Sequence, residues 1–333
     1  MNEAITVIGG GAIGGITAAY LARAGYEVIV VEPWFEHREA MKENLVVEGC
    51  RGIFSTPLDV ISPEEIQGPL HIVLLAVKSM HTEDVMRKLS PMLQENSIVV
   101  SMQNSINEDL IAEIIGRERT IGCVVGWGAI TDRAGHLSQA SLGEFVIGRL
   151  DGHADERLLK LQKTMSLVTD TYITDNIYGF LWAKLLANCA ISVGALQGKP
   201  VADLVSMPEA RVVIRGIVSE VLDVAFALDI CLETIHLRFE PEQYIVQKDL
   251  ITESLLGVLE TTHGGIVPTA YQDLLLGKPL ETNFINGYVV RKAKTLGIKT
   301  PLNYFLVNII NEMAKGSREI KKENIIELYN VCR

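Results

Sequence analysis

In the first half of the chain, short β-branched apolar runs alternate with stretches of helical periodicity. The runs cover residues 4–8, 28–31, 71–77, 97–101 and 120–130. Between most of them lie helical patterns, at the Ala/Leu-rich stretch 12–24 and at 36–43, 82–89 and 107–115. Runs that are apolar on both faces and separated by helices predict a parallel sheet covered on both sides. Two interruptions, 45–55 and 136–148, bend at glycines and predict hairpin or meander strands.

Beyond about residue 150 the pattern changes. Residues 154–168 predict a helix and 171–174 a short strand, after which the chain is almost entirely helical. The long segments include 177–196, 209–228, 269–276, 284–296 and 302–313. With no internal repeat and no low-complexity linker, the expected fold is an α/β domain over 1–175 followed by an all-helical domain over 176–333.

Composition narrows the class. The 333 residues carry 30 basic and 41 acidic side chains, a formal net charge of −11, with 48% hydrophobic and 21% charged positions. Such a mixture can bury a large core, and its negative balance argues against nucleic acid or an anionic membrane as partner. No apolar run of the roughly 18 residues a spanning helix needs is expected, nor a basic leader before the first strand. The five cysteines are Cys50, Cys123, Cys189, Cys231 and Cys332, far apart and without a CxxC pair. They predict reduced thiols in a cytoplasmic protein. The seven histidines show no ligand spacing, so no metal site is expected.

Chemistry first shows at Gly9-Gly10-Gly11-Ala12-Ile13-Gly14, a G-x-G-x-x-G between a predicted strand and a predicted helix. In that context Gly9 permits the tight turn, Gly11 lets backbone approach a pyrophosphate, and Gly14 allows close helix–strand packing. Ala12 and Ile13 open the helix whose free N–H groups would hold the anion. The first domain is thus expected to be a Rossmann-type dinucleotide-binding domain. Glu32 closes the second strand, 18 positions after Gly14. An acidic group there accepts from ribose hydroxyls and repels a 2′-phosphate, which favours NADH. Arg38 lies close enough in sequence to offset it.

In the helical half, Trp182-Ala183-Lys184-Leu185-Leu186-Ala187-Asn188 puts Lys184 and Asn188 at i, i+4 on one helix face. A lysine among apolar neighbours can be tuned toward proton donation, because desolvation disfavours its charged form. A lysine snorkelling from an amphipathic helix gives the same pattern.

Several landmarks now stand in order: the glycine turn, Lys78 at the end of Leu74-Leu75-Ala76-Val77-Lys78, and Gln103-Asn104 after the next strand. They continue with Trp182-x-Lys184-Leu185 and Asn188, then Thr269-Ala270-Tyr271-Gln272-Asp273, Leu280-Glu281-Thr282-Asn283-x-Ile285-Asn286-Gly287, Gly297-Ile298 and Thr300-Pro301. Over nearly the whole chain this resembles the ketopantoate reductase (2-dehydropantoate 2-reductase) family. The resemblance implies NAD(P)H-dependent reduction of a branched 2-oxo acid to a 2-hydroxy acid, in pantothenate biosynthesis, with NADPH the family's usual cofactor. It implies Lys184 as proton donor, and Glu281 as hydrogen-bond partner of substrate or cofactor hydroxyls. Asn188 and Thr269 would hold the substrate, with Lys78 and Asn104 at the cofactor–substrate junction. Without the resemblance, Lys78 reads equally as a strand-end charge, Asn104 as a turn former and Thr269 as a helix N-cap.

The chain departs from the family pattern in four places. Ser105 stands where a glycine is usual, Ser192 and Asn283 where an asparagine and an acidic residue are expected, and Glu32-Pro33 where NADPH-dependent members are often basic. The catalytic pair is retained, whereas several substrate- and cofactor-selecting positions are not. The expected partner is therefore a small 2-oxo acid, with ketopantoate the default and other 2-oxo acids open, as is a homodimer. A redox-sensing dinucleotide binder without catalysis is the alternative of a different class.

Overall fold

A computed structural model describes residues 3–234, 238–239, 241–261 and 268–332 of the chain. Two compact units emerge, Met1–Ile177 and Tyr178–Arg333.

The first unit is built in chain order from β1 (Ile5–Ile8), α1 (Ala12–Arg23), β2 (Val28–Val31), α2 (Phe35–Asn44), β3 (Leu45–Gly49), β4 (Phe54–Thr56) and β5 (Asp59–Ile61). Then come β6 (Leu70–Leu75), α3 (Thr82–Leu89), β7 (Leu93–Ser101), α4 (Glu108–Ile115) and β8 (Thr120–Val125). It closes with β9 (Ala129–Arg133), β10 (His136–Gln139), β11 (Phe145–Arg149), α5 (Glu156–Met165) and β12 (Thr171–Ile173). The main sheet has eight strands in the order β12-β11-β8-β7-β6-β1-β2-β5. Its pairings from β5 through β8 are all parallel, and β11 joins β8 antiparallel.

Strand alternation explains the two cores. Ile5 and Val7 of β1, Val30 of β2, Leu74 of β6 and Val100 of β7 pack with Ile16 and Leu21 of α1 and Leu158 and Leu161 of α5. Ile8, Val31, Val73, Leu75 and Val99 face the other way, against Met86 and Leu89 of α3 and Ile111 and Ile115 of α4. Each such side chain contributes about 1.5–3 kcal/mol when fully buried, so both faces of the sheet need their helices.

Strand order reverses between β1 and β6. The chain runs from β1 outward to β2 and β5, then returns to β6 and continues through β7 and β8. Ligands of open α/β sheets bind at the carboxyl ends of the strands at such a point.

The expected strand 120–130 and hairpin 136–148 come out differently. Gly126–Gly128 breaks the former into β8 and β9. β10 and β11 do not pair: β10 joins β9, β3 and β4 in a separate four-stranded sheet, while β11 returns to the main one. The small sheet covers α1, and a Cβ at Gly15 would stand 2.6 Å from Leu137 Cδ1. The apolar run and the glycine bends located strands here but could not assign their partners.

The second unit comprises α6 (Ile177–Ile191), α7 (Val201–Val205), α8 (Pro208–Ala227), α9 (Pro241–Thr261), α10 (Thr269–Leu275), α11 (Asn286–Leu296), α12 (Pro301–Ala314) and α13 (Glu323–Val331). A two-stranded pairing of β13 (Leu232–Glu233) with β14 (Arg238–Phe239) interrupts it. Glu220 of the buried α8 accepts from the Leu302 and Asn303 backbone N–H groups at 2.8 and 2.9 Å, capping α12 from a neighbouring helix. Contrary to the sequence expectation, Ile177–Leu196 is long and apolar enough to cross a membrane by composition. Of its most apolar window 67% is buried inside the fold, as in a core helix.

Candidate active site

Four sequence-predicted positions of the first unit converge at the carboxyl edge of the parallel sheet. The glycine turn follows β1, Glu32 follows β2, Lys78 follows β6 and Asn104 follows β7.

The turn has the geometry that its glycines allow. Gly9 has φ +102°, and a Cβ on it would lie 3.0 Å from the backbone of Ala76. A Cβ on Gly14 would lie 2.0 Å from the Gly9 carbonyl oxygen. Gly11 differs: a Cβ there meets nothing within 4 Å. Gly11 is also the N-cap of α1, with no side-chain cap and no acidic residue in the first turn. The amides of Ala12 and Ile13 at this end are therefore open to an anion, and the space above Gly11 is free. A dinucleotide pyrophosphate fits this cradle.

Two side chains brace it. Glu32, buried at the end of β2, accepts from Gly10 N–H through Oε2 and from Trp34 N–H through Oε1, both at 2.8 Å. His37 Nε2 donates to the Gly10 carbonyl, and its Nδ1 accepts from Gly135 N–H, both at 2.9 Å. Accepting from an amide at Nδ1 leaves the ring proton on Nε2, so one neutral tautomer satisfies both contacts. Arg38 donates to the Glu32 backbone carbonyl at 3.0 Å and lies 5.3 Å from the Phe35 ring centroid.

On the other side of the switch point, the loops bearing Lys78 and Asn104 are laced together. Gln103 Nε2 donates to the Val77 carbonyl at 2.7 Å and to Thr82 Oγ1 at 2.8 Å. The Ser79 hydroxyl and Asn107 Nδ2 donate to the Asn104 carbonyl at 3.1 and 2.9 Å. Ser105, standing at the family's glycine position, has φ +70°. The backbone there keeps the left-handed turn that glycine adopts freely, at a steric cost to serine.

Behind Asn104, Glu108 opens α4 at 0% exposure. Neither carboxyl oxygen has a hydrogen-bond partner of full geometry among the described residues. Burial pushes its pKa up to about 7, against a weaker pull from the Ser101 hydroxyl and nearby backbone N–H groups. Sequence reading missed His37 and Glu108. The contacts of His37 are 27 and 98 residues away, and an acidic residue in the first turn of a helix looks like an ordinary complement to the helix dipole.

In the second unit, α6 is buried on most of its surface, with Leu181, Trp182, Leu185, Leu186, Cys189 and Ala190 all in the core. Lys184 and Asn188 fall on the partly open stripe, flanked by the small Ala183 and Ala187. The first turn of α11, a few residues beyond Glu281, packs against the same helix. Trp182 and Tyr288 meet edge to face at 5.9 Å, and buried Asn286 donates to the Cys189 carbonyl at 3.3 Å. Glu281 itself is half-buried and begins a single 3-10 turn, Glu281–Asn283.

Two departures from the family pattern are accommodated locally. Asn283 exchanges amide hydrogen bonds with Asn311 at 3.2 and 3.0 Å. The Ser192 hydroxyl turns back to the Asn188 carbonyl at 2.9 Å. The N-cap of α10 is Pro268 and Thr269 is its first residue, so Thr269 does not occupy the cap position. Its side chain lies outside the described residues.

Comparison with known proteins identifies the family. The profile of the ketopantoate reductase PanE/ApbA family matches residues 5–152, and that of its C-terminal domain matches 176–314. This chain belongs to the ketopantoate reductase family. A 2-dehydropantoate 2-reductase of Aquifex aeolicus is 27% identical over 310 residues, covering 91% of this chain and 94% of that protein. The crystal structure of 2-dehydropantoate 2-reductase from Geobacter metallireducens is similar with TM-score 0.82 and 25% identity, over 93% of this chain and 99% of that one. A D-mandelate dehydrogenase, solved with NADH and anilino(oxo)acetate, shares the fold with TM-score 0.82 at 21% identity, over 95% and 99% of the two chains. Family members are oxidoreductases acting on a CH–OH group.

Proposed function

We propose that the chain reduces the ketone of ketopantoate to the alcohol of pantoate, with NADH preferred to NADPH. The observation that carries the reading is the partly open face of α6, where Lys184 and Asn188 stand among alanines on an otherwise buried helix. The family and the 2-dehydropantoate 2-reductases similar to this chain supply the substrate class. That activity belongs to pantothenate biosynthesis.

Bound at the glycine turn, a reduced nicotinamide dinucleotide supplies the hydride. Lys184 holds a proton on Nζ for the carbonyl oxygen, and its positive charge stabilises the alkoxide that forms as hydride arrives. Asn188, one turn away, orients the substrate by hydrogen bonding. Glu281 accepts from a hydroxyl. In the first unit Lys78 and Asn104, on loops cross-braced through Gln103 and Ser79, position the nicotinamide end.

Glu32 supports the NADH preference, because its carboxylate stands at the end of β2 where an adenosine ribose would be read. Arg38, the group that could offset it, is occupied with the Glu32 carbonyl and the Phe35 ring. The five cysteines are free thiols, which supports a reducing, cytoplasmic setting. Assay of ketopantoate against a panel of 2-oxo acids, with the Lys184→Ala variant alongside, tests the reading. Wild-type turnover that vanishes in the variant supports it, and turnover that survives refutes the role of Lys184.

A further inference from the structure

The outer face of the small sheet carries a cluster that the reductase reading leaves unused. His136, the first residue of β10, is 8% exposed. Its Nδ1 lies 3.3 Å from Asp132 Oδ2 and its Nε2 lies 3.7 Å from Glu48 Oε2. Two residues along the same face of β10, the Ser138 hydroxyl donates to Asp132 Oδ2 and lies 3.3 Å from Glu48 Oε1.

Three strands deliver these groups. Glu48 of β3 is the cross-strand partner of Ser138. Asp132 arrives through an irregularity in β9, where Arg133 pairs with His136 but Thr131 pairs with Leu137, leaving Asp132 as the extra residue of a bulge. The regular pairs of Ile130 with Ser138 and Thr131 with Leu137 set Asp132, two residues beyond Ile130, on the face that bears His136 and Ser138.

The ligand atoms of Glu48, Asp132 and His136 all lie within 4.8 Å of one another. Atoms that ligate a tetrahedral ion at about 2.0–2.2 Å sit roughly 3.4 Å apart, close to the His136–Asp132 separation. Two carboxylates held this near each other repel. A divalent cation removes that repulsion.

We propose that Glu48, Asp132 and His136 form a divalent-cation site, with Ser138 holding the two carboxylates together. One imidazole nitrogen with two carboxylate oxygens suits Zn²⁺ better than Ca²⁺ or Mg²⁺, which favour all-oxygen shells. Three protein ligands leave a fourth position for water. No spacing in the sequence announces the site, because its ligands belong to three different strands. The competing arrangement is a metal-free triad, with the His136 ring between the two carboxylates.

Equilibrium dialysis of chelator-treated protein against Zn²⁺ at pH 7.5, with Co²⁺ as a spectroscopic substitute, separates the two. The site predicts one saturable ion per chain and a visible Co²⁺ band of four-coordinate intensity. Asp132→Asn and Glu48→Gln, both at solvent-accessible positions, should each weaken binding at least tenfold while dinucleotide binding shows the fold intact. Cys50→Ser, which removes the exposed thiol two residues beyond Glu48, should change nothing. Absence of saturable binding, wild-type affinity in both carboxylate variants, or loss of the ion in Cys50→Ser would overturn the proposal.

Discussion

The Glu32 carboxylate accepts a 2.8 Å hydrogen bond from the Gly10 amide, joining the end of β2 to the middle of the glycine turn. Its other oxygen is held by Trp34 N–H. A carboxylate offers about four lone-pair sites, so two remain for ribose hydroxyls while two shape the turn. Glu32 is therefore a strut as well as a reader of the cofactor. Replacing it by arginine would strand two amides and weaken both dinucleotides, so that exchange does not isolate specificity. Glu32→Gln retains an acceptor for Gly10 and removes the charge. NADH should lead NADPH in kcat/KM by about tenfold or more in the wild type, since a charge-assisted bond contributes roughly 1.5–3 kcal/mol. Measured with both cofactors on one substrate, that ratio should shrink in Glu32→Gln. A wild type that prefers NADPH would refute this role of Glu32.

Gly11→Val tests the cradle. Its φ of −64° is open to any residue, and nothing lies within 4 Å of the added Cβ. The variant should fold with an unchanged melting temperature and lose dinucleotide affinity by on the order of tenfold or more, read by fluorescence titration. Unchanged affinity would remove the turn from the site.

Lys184→Ala should lower kcat by on the order of 10²-fold or more, the scale of a general-acid contribution, while the dinucleotide Kd stays the same. Activity within a few-fold of wild type would return Lys184 to the status of a snorkelling surface lysine.

Glu108 gives a pH dependence with a definite sign. Its pKa is raised from 4.5 to about 7 in the folded chain. The stability linked to its protonated form is therefore fully present below about pH 4.5 and is lost as pH rises through about 7. Glu108→Gln should raise the melting temperature at pH 8 more than at pH 5, by up to about 3 kcal/mol in stability. Equal shifts at both pH values would mean that this carboxyl does not titrate in the native range.

Ser105→Gly should stabilise the chain by about 0.5–1 kcal/mol. Relief of a left-handed serine, about 1–2 kcal/mol, outweighs the extra chain entropy of glycine. Urea denaturation of the two proteins reads the difference, and a lower midpoint for the glycine variant would contradict it.

What the sequence revealed followed from how local each signal was. The glycine turn, Glu32 and the Lys184–Asn188 spacing are contiguous patterns, and the alternation of apolar runs with helices was enough to predict a parallel sheet. The three-residue β5 is too short to show a period, and the glycine-bent stretch 136–148 supplies strands to two different sheets. His37, the Asn283–Asn311 pair and the Glu48–Asp132–His136 cluster join residues brought together only by folding.

The most direct measurement of the central claim is nicotinamide absorbance during incubation of purified protein with ketopantoate and NADH or NADPH. The account predicts consumption of reduced cofactor with pantoate formed in equal amount, faster with NADH, and lost in Lys184→Ala. No oxidation of either cofactor by ketopantoate or by any 2-oxo acid in the panel, despite tight dinucleotide binding, would contradict it and leave a binding protein without this reaction.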